Sequence, residues 1–531
     1  MGGNEEQVKG KTTTEVARTG RGRAPSTAGG KGDDPSPQGR GGTEGSNRRG
    51  KRGSVTEQVS LFERVPASER LAWPDIAAIL SGVVSSLSKL MGGGIVAFYA
   101  GCQMGGVTVA ITFVLSFFLT YLVGKICYRE GLSNNVVSRY YIFGKKGSAA
   151  GSLIWIFVIV GVLAVGTVQL GNAILFAFGW EGEAVRWALF ICISCVWVVM
   201  ALFGTKIIAR MNAVFVVALF CVMGYVIYLI AADGQLVDAA THGILIPGVQ
   251  PLEGFAYSVN YAIMTSGLMA LFAADFTRFA RKERDIAPVA ATGSLFAIIT
   301  YICGALVVYY GFDKSVAYFS AQGMDPLLAA NAAVTNPGVS LVLAAGGVGL
   351  AIICLSQMKV ETSNSIGGAN AVSNLVHSLF GRKLPWAAAV VGANAIGLAF
   401  ILGNILDQVN AFMSYGSILT SSWCILLITD YYIVRGKMGI GKVGIDMEAP
   451  EKAVHWRGVG TIAFVTVVGS ALYATGMVGV PFLVVAPLTM VVYVVVSWLL
   501  RDKIRAGAIG EGDSKLLGLA YTPGSGEGAV L

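Results

Sequence analysis

Lys359 and Glu361 stand two residues apart in "LSQMKVETSNSIGG" (355–368), directly after the apolar run "LVLAAGGVGLAIIC" (341–354). Charges inside a membrane are costly and usually face a bundle interior, where they serve a function. Two residues correspond to roughly 200° around a helix, so these two side chains cannot pair and each must meet a different partner. Glu361 shares a face with Asn364 and Ser365, whereas Lys359 shares one with Ser356, Thr362 and Ser363. A second lysine, Lys89, follows the hydroxyls Ser85 and Ser86 in "SGVVSSLSKLMGGG" (81–94). Burial lowers a lysine's proton affinity and a nearby carboxylate restores it, so Lys89, Lys359 and Glu361 together could load and release a proton. The other reading ends the helix at Met358 and leaves all three charges in water at the membrane surface. The run that continues to Val376 argues against it, because it would otherwise be a long structureless loop.

Other chemistries find little support. The three histidines, His242, His377 and His455, are scattered over loops and helix ends with no nucleophile–base spacing, so an enzyme is not expected. The eight cysteines lie mostly in apolar runs and lack metal-ligand spacing, so neither a metal nor a cofactor is expected.

The elements that would position these residues follow from composition. With 54% hydrophobic and 13% charged residues and a mean hydropathy of +0.65, the chain is a polytopic all-α membrane protein. Residues 1–70 are rich in Gly, Ser, Lys and Arg and too poor in large apolar groups to fold, so a disordered basic cytoplasmic tail is expected, without a nucleic-acid partner. Windows long enough to span a bilayer predict twelve helices: 74–100, 105–126, 149–177, 187–204, 211–232, 253–274, 287–311, 338–370, 384–404, 408–433, 458–478 and 481–500. Alternate connections carry the Lys and Arg, among them Lys145, Lys146, Arg281, Lys282 and Arg435, while 232–251 has neither. Both termini are therefore expected on the cytoplasmic side of a plasma membrane or bacterial inner membrane, with 501–531 as a second tail.

The first span and the sixth, which contains "NYAIMTSGLMA" (260–270), both interrupt their apolar runs with Ser, Thr and Gly five helices apart. An inverted repeat of five-plus-five helices, each half opening on a broken helix, has this pattern. Close helix packing through small residues would produce it too.

"ADFTRFARK" (274–282), "ITDYYIVRGK" (428–437) and "GLSNNVVSRYYIFGKKGS" (131–148) resemble signatures of the nucleobase:cation symporter family, purine-cytosine permease type. The resemblance implies a LeuT-type fold, with a first repeat over 71–252, a second over 253–434 and two peripheral helices over 435–500. It also implies alternating access to a small heterocycle. Asp275, Arg278 and Arg281 at the end of the sixth span, and Asp430 with Arg435 on the tenth, are read as helix anchors at the inner gate. The family's aromatic sandwich falls on Val162 and on or beside Ser266, so neither stacking face is present, although Tyr261 or Trp155 could supply a ring. The eighth-helix asparagine matches Asn364, and the sodium-binding hydroxyl pair falls on Met358 and Lys359.

These residues point to a permease for a small polar, nucleobase-like or other N-heterocyclic solute. The expected solute site is Asn364, Glu361, Thr265, Ser266 and Val162, and the coupling site is Lys359 and Lys89 with Ser85 and Ser86. Because lysine offers no acceptor to a cation, proton coupling or facilitated transport is expected in preference to sodium. A sodium symporter of the same family and a transporter-derived sensor are the alternatives.

Overall fold

A computed structural model describes residues 64–84, 86–203, 205–448 and 452–505. All of them fall in one of two compact units, Gly53–Leu531. The other unit, Met1–Arg52, lies outside the described residues, as do most of the expected basic tail and residues 506–531. Among the described residues the chain is helical, and its only strand-like pairing is a parallel bridge between Leu71 and Ala280. Among the described residues nine helices are long and apolar enough to cross a membrane, and Val217–Ala232, Pro326–Thr335 and Trp386–Leu402 are shorter apolar helices.

The first expected span is interrupted. Helix α1 (Trp73–Val84) ends, and α2 (Leu87–Glu130) begins behind Ser86, whose backbone is extended (φ −134°, ψ 161°). The Ser86 hydroxyl accepts from Lys89 N at 3.3 Å, a cap of the kind that stabilises a helix start by about 1 kcal/mol. Gly101, at φ +73°, then turns the chain inside α2, so the first two expected spans share one kinked helix. The glycine run that follows Met91 serves packing rather than the break. A Cβ on Gly93 would lie 1.9 Å from the Tyr301 carbonyl oxygen, and one on Gly304 would lie 2.1 Å from that of Leu90.

Downstream come α3 (Ser148–Phe178), with a π turn at Ile156–Val160, α4 (Glu183–Phe203) and α5 (Thr205–Ala232). The sixth expected span departs from expectation, because α6 (Pro251–Thr277) is continuous. Its small polar residues keep the helix intact: Thr265 and Ser266 donate to the carbonyls of Tyr261 and Ala262 one turn back (2.9 and 2.7 Å), and no proline removes a donor. Only one of the two expected breaks therefore exists.

The chain continues through α7 (Ile286–Ala321), α8 (Pro326–Thr335) and α9 (Pro337–Phe380). Gly346 (φ 53°, ψ −134°) kinks α9, which then runs unbroken past Met358 to Phe380. Lys359 is 5% exposed and Glu361 is 0% exposed, which removes the surface reading of this pair. Helices α10 (Trp386–Leu402), α11 (Val409–Lys437), α12 (Trp456–Ala474) and α13 (Phe482–Leu499) complete the fold.

A buried polar network ties these helices at the end bearing the basic connections. Asp430, fully buried, accepts from Arg435 Nε (2.6 Å) and Tyr493 OH (2.6 Å) and lies 3.8 Å from Arg457. Nearby, Glu130 accepts from Tyr141 OH at 2.6 Å and from Ile445 N at 3.0 Å. Residues 64–72, placed by sequence partly in the tail, are strapped to the same end. Val65 N donates to Gly131 O, Leu71 N to Phe279 O, and Arg70 to Ala280 O.

Candidate functional site

A cavity of about 70 Å³ opens where α1 breaks into α2. Its polar wall is Ser86, Ser88, Lys89, Tyr261, Thr265 and Asn364, and its apolar wall includes Val162, Met264, Phe272 and Met413. Helices α2, α3, α6, α9 and α11 each contribute, so the site exists only once the bundle has closed.

The break is held to α9 by a side chain that the sequence reading passed over. Gln357 accepts from Leu87 N, the first amide of α2, at 3.1 Å. Through Nε2 it donates to Gly166 O (3.3 Å) and to Glu361 Oε1 (3.2 Å). Asn364 Nδ2 donates to the other Glu361 oxygen at 2.9 Å. Residues 357, 361 and 364 follow the i, i+4, i+7 spacing of one helix face, the signal that could have found Gln357. The helix start donates an N–H that nothing inside the helix can accept, and Gln357 satisfies it.

Glu361 is thus gripped by two amides and packed on α3, where Gly166 leaves it room, and it does not line the cavity. The expected network of Glu361 with Lys89 and Lys359 does not form. No hydrogen bond or ion pair joins the carboxylate to either lysine among the described residues. Lys89 lines the cavity, whereas Lys359 is buried in α9 and does not. Ser86 caps α2 at the cavity edge, and Ser85 lies outside the described residues.

Of the remaining expected solute contacts, Asn364, Thr265 and Val162 line the cavity and Ser266 does not. Ser266 is fully buried against α2, where it accepts from Ser116 Oγ at 2.8 Å. Thr265 Oγ lies 2.7 Å from Tyr301 OH, and Tyr261 OH donates to Ser88 O at 2.5 Å. Tyr261 therefore brings a ring to the wall, while Trp155 packs against Trp423 away from it.

The expected anchors lie outside the cavity. Asp275 Oδ1 accepts from Asn134 N at 2.8 Å, joining the end of α6 to the connection after α2. Arg278, 3% exposed, donates to the Asp275 carbonyl and stacks on Phe279. Among the described residues no cluster of His, Cys, Asp and Glu could hold a metal ion.

Residues 64–500 match, as one unbroken segment, the family of permeases for cytosine/purines, uracil, thiamine and allantoin. The chain belongs to this permease family. Its fold is similar to that of Mhp1 in an inward-facing conformation, with a TM-score of 0.61 and 16% identity over 83% of this chain and 96% of that one. The nucleobase-cation-symport-1 transporter Mhp1, closed with bromovinylhydantoin bound, gives 0.59 and 15% identity over 84% and 97%. No curated protein matches the sequence. As a member of the permease family, the chain is a multi-pass membrane transporter and not an enzyme.

Proposed function

We propose that the protein carries a small nucleobase-type heterocycle across the membrane by alternating access, with the cavity at the α1–α2 break as the solute site. The observation that carries this reading is the convergence of Ser86 at the break, Thr265 and Tyr261 of α6 and Asn364 of α9 on one cavity beside a broken helix. Discontinuous helices at the bilayer midplane are where transporters of this kind bind their cargo. In this reading α1 with the first limb of α2 is the first of twelve spans, Gly101 separates it from the second, and the first ten spans form the inverted repeat. The two peripheral helices are α12 and α13, and both termini face the cytoplasm.

Ordinary solute sites enclose roughly 300–1,000 Å³, several times the present cavity, so cargo enters only when the helices around the break separate. Gln357 is suited to control that separation, because one amide joins the first turn of α2 to α9 and α3. Coupling is to protons, or absent, rather than to sodium: Lys359 and Met358 occupy the positions that the family resemblance assigns to sodium-binding hydroxyls. Asn364 and Thr265 hold the heterocycle by hydrogen bonds, and Tyr261 supplies the apolar face.

Uptake of labelled heterocycles into vesicles containing the purified protein tests the assignment. Asn364→Ala should abolish saturable uptake while the protein stays monodisperse. Wild-type kinetics in that variant would remove the cavity as the solute site.

A further inference from the structure

The cavity has an electrostatic character that the family assignment does not supply. Among the described residues that line it, Lys89 is the only charged one; no carboxylate is among them, and Glu361 is turned away toward α3. The Lys89 ammonium finds no carboxylate or hydrogen-bond acceptor among the described residues. Beside it, the Ser88 hydroxyl is 8% exposed, lines the same cavity and has no hydrogen-bond partner. Both residues lie in the first turn of α2, where the helix dipole favours negative charge, although Gln357 and Ser86 already accept from Leu87 N and Lys89 N. The polar groups opposite are of another kind. Asn364, Thr265 and Tyr261 are neutral and already hydrogen-bonded to the protein.

We propose that the start of α2, with Lys89 Nζ and Ser88 Oγ, is an oxyanion subsite, and that the transported solute is an anionic heterocycle bearing a carboxylate or an ionised ring imide. This deepens the transport assignment and rests on it. A half-buried ammonium without a counter-charge is costly in a low-dielectric bundle, and a bound anion removes that cost. The same group opposes a cationic solute and gains little from a neutral one. With no ring at position 162 and Ser266 facing Ser116, affinity moves from ring stacking to this charge-assisted contact. The neutral groups on α6 and α9 then orient the ring.

Matched pairs differing only in charge decide the matter: uracil against uracil-6-carboxylate, hydantoin against hydantoin-5-acetate, and thiamine as the cation. Binding is read by thermal stabilisation of the purified full-length protein, and transport by vesicle uptake. The carboxylates should stabilise the wild type at concentrations at least tenfold lower than their neutral parents, and thiamine should not bind. Lys89→Gln should erase the preference, Lys89→Arg should retain it, and Ser88→Ala should weaken carboxylate binding several-fold. Lys89→Arg guards against a folding defect, because it changes the residue and keeps the charge. Equal affinity for neutral and anionic partners, or a preference that survives in Lys89→Gln, overturns the subsite. If neutral heterocycles alone are taken up and Asn364→Ala abolishes that uptake, the transport assignment stands and the subsite falls. Carboxylate binding that depends on Lys89, without uptake, has the opposite meaning. Failure of every compound to bind refutes both.

Discussion

Replacing Gly166 by alanine should disable the connection between the broken helix and α9. A Cβ there would lie 1.9 Å from Glu361 Oε1, 2.6 Å from its carboxyl carbon and 2.9 Å from Gln357 Nε2. The carboxylate cannot retreat freely, because Glu361 is fully buried and held by Gln357 and Asn364 at 3.2 and 2.9 Å. A hydrogen bond to a charged group contributes roughly 1.5–3 kcal/mol. Overpacking a filled interior costs a further 1–3 kcal/mol or so. Losing one bond and forcing one shift therefore costs about 2.5–6 kcal/mol, which at this chain length should lower the melting temperature in detergent by about 3–7 °C. Displacing Gln357 also releases Leu87 N, so uptake should fall together with stability. A second change separates this mechanism from a general defect in α3. Shortening the partner in Gly166→Ala/Glu361→Ser removes the two closest clashing atoms, so the double variant should be less destabilised than the sum of the two single changes. Non-additivity of at least about 1 kcal/mol is expected for side chains in contact. Wild-type stability and uptake in Gly166→Ala, or strict additivity in the double variant, would refute the packing argument.

Lys359 and His455 carry two further predictions. An ammonium about 4 Å from a sodium ion, at an effective dielectric near 20, costs roughly 4 kcal/mol, on the order of a thousandfold in affinity. Exchanging sodium for choline should therefore leave wild-type uptake unchanged, Lys359→Thr should introduce a sodium response, and sodium-driven uptake in the wild type would sink the proton-coupled or facilitated reading. His455, 4% exposed, is pushed down to about 3 by burial and then by the neighbouring Arg435 and Arg457, with Asp430 opposing. The unfolded chain takes up this proton near pH 6.5 while the folded one does not, so the group's contribution to stability is present above pH 6.5 and is lost as pH falls toward 3. The slope is roughly 1.4 kcal/mol per pH unit. His455→Gln should flatten the fall in melting temperature between pH 7 and 5; an unchanged slope would show that another group sets it.

Composition and apolar length were enough to make the chain a polytopic all-α membrane protein, because bilayer thickness imposes a run length that can be counted along one dimension. The break after Val84 was also legible, since serines beside an apolar run compete for backbone hydrogen bonds. The same residue types misled at 260–270, where hydroxyls that bond back along their own helix leave α6 continuous; that choice depends on the neighbouring surface and not on local propensity. Spacing put Glu361 and Asn364 on one face. Only the packing of α3 against α9 decided that Gly166 and two amides would receive the carboxylate, leaving Lys89 as the sole charge among the described residues that line the cavity. Sequence fixes the order in which charges appear along helices, whereas the partner of a buried charge is set by which faces meet, often more than a hundred residues apart, as with Gln357 and Leu87.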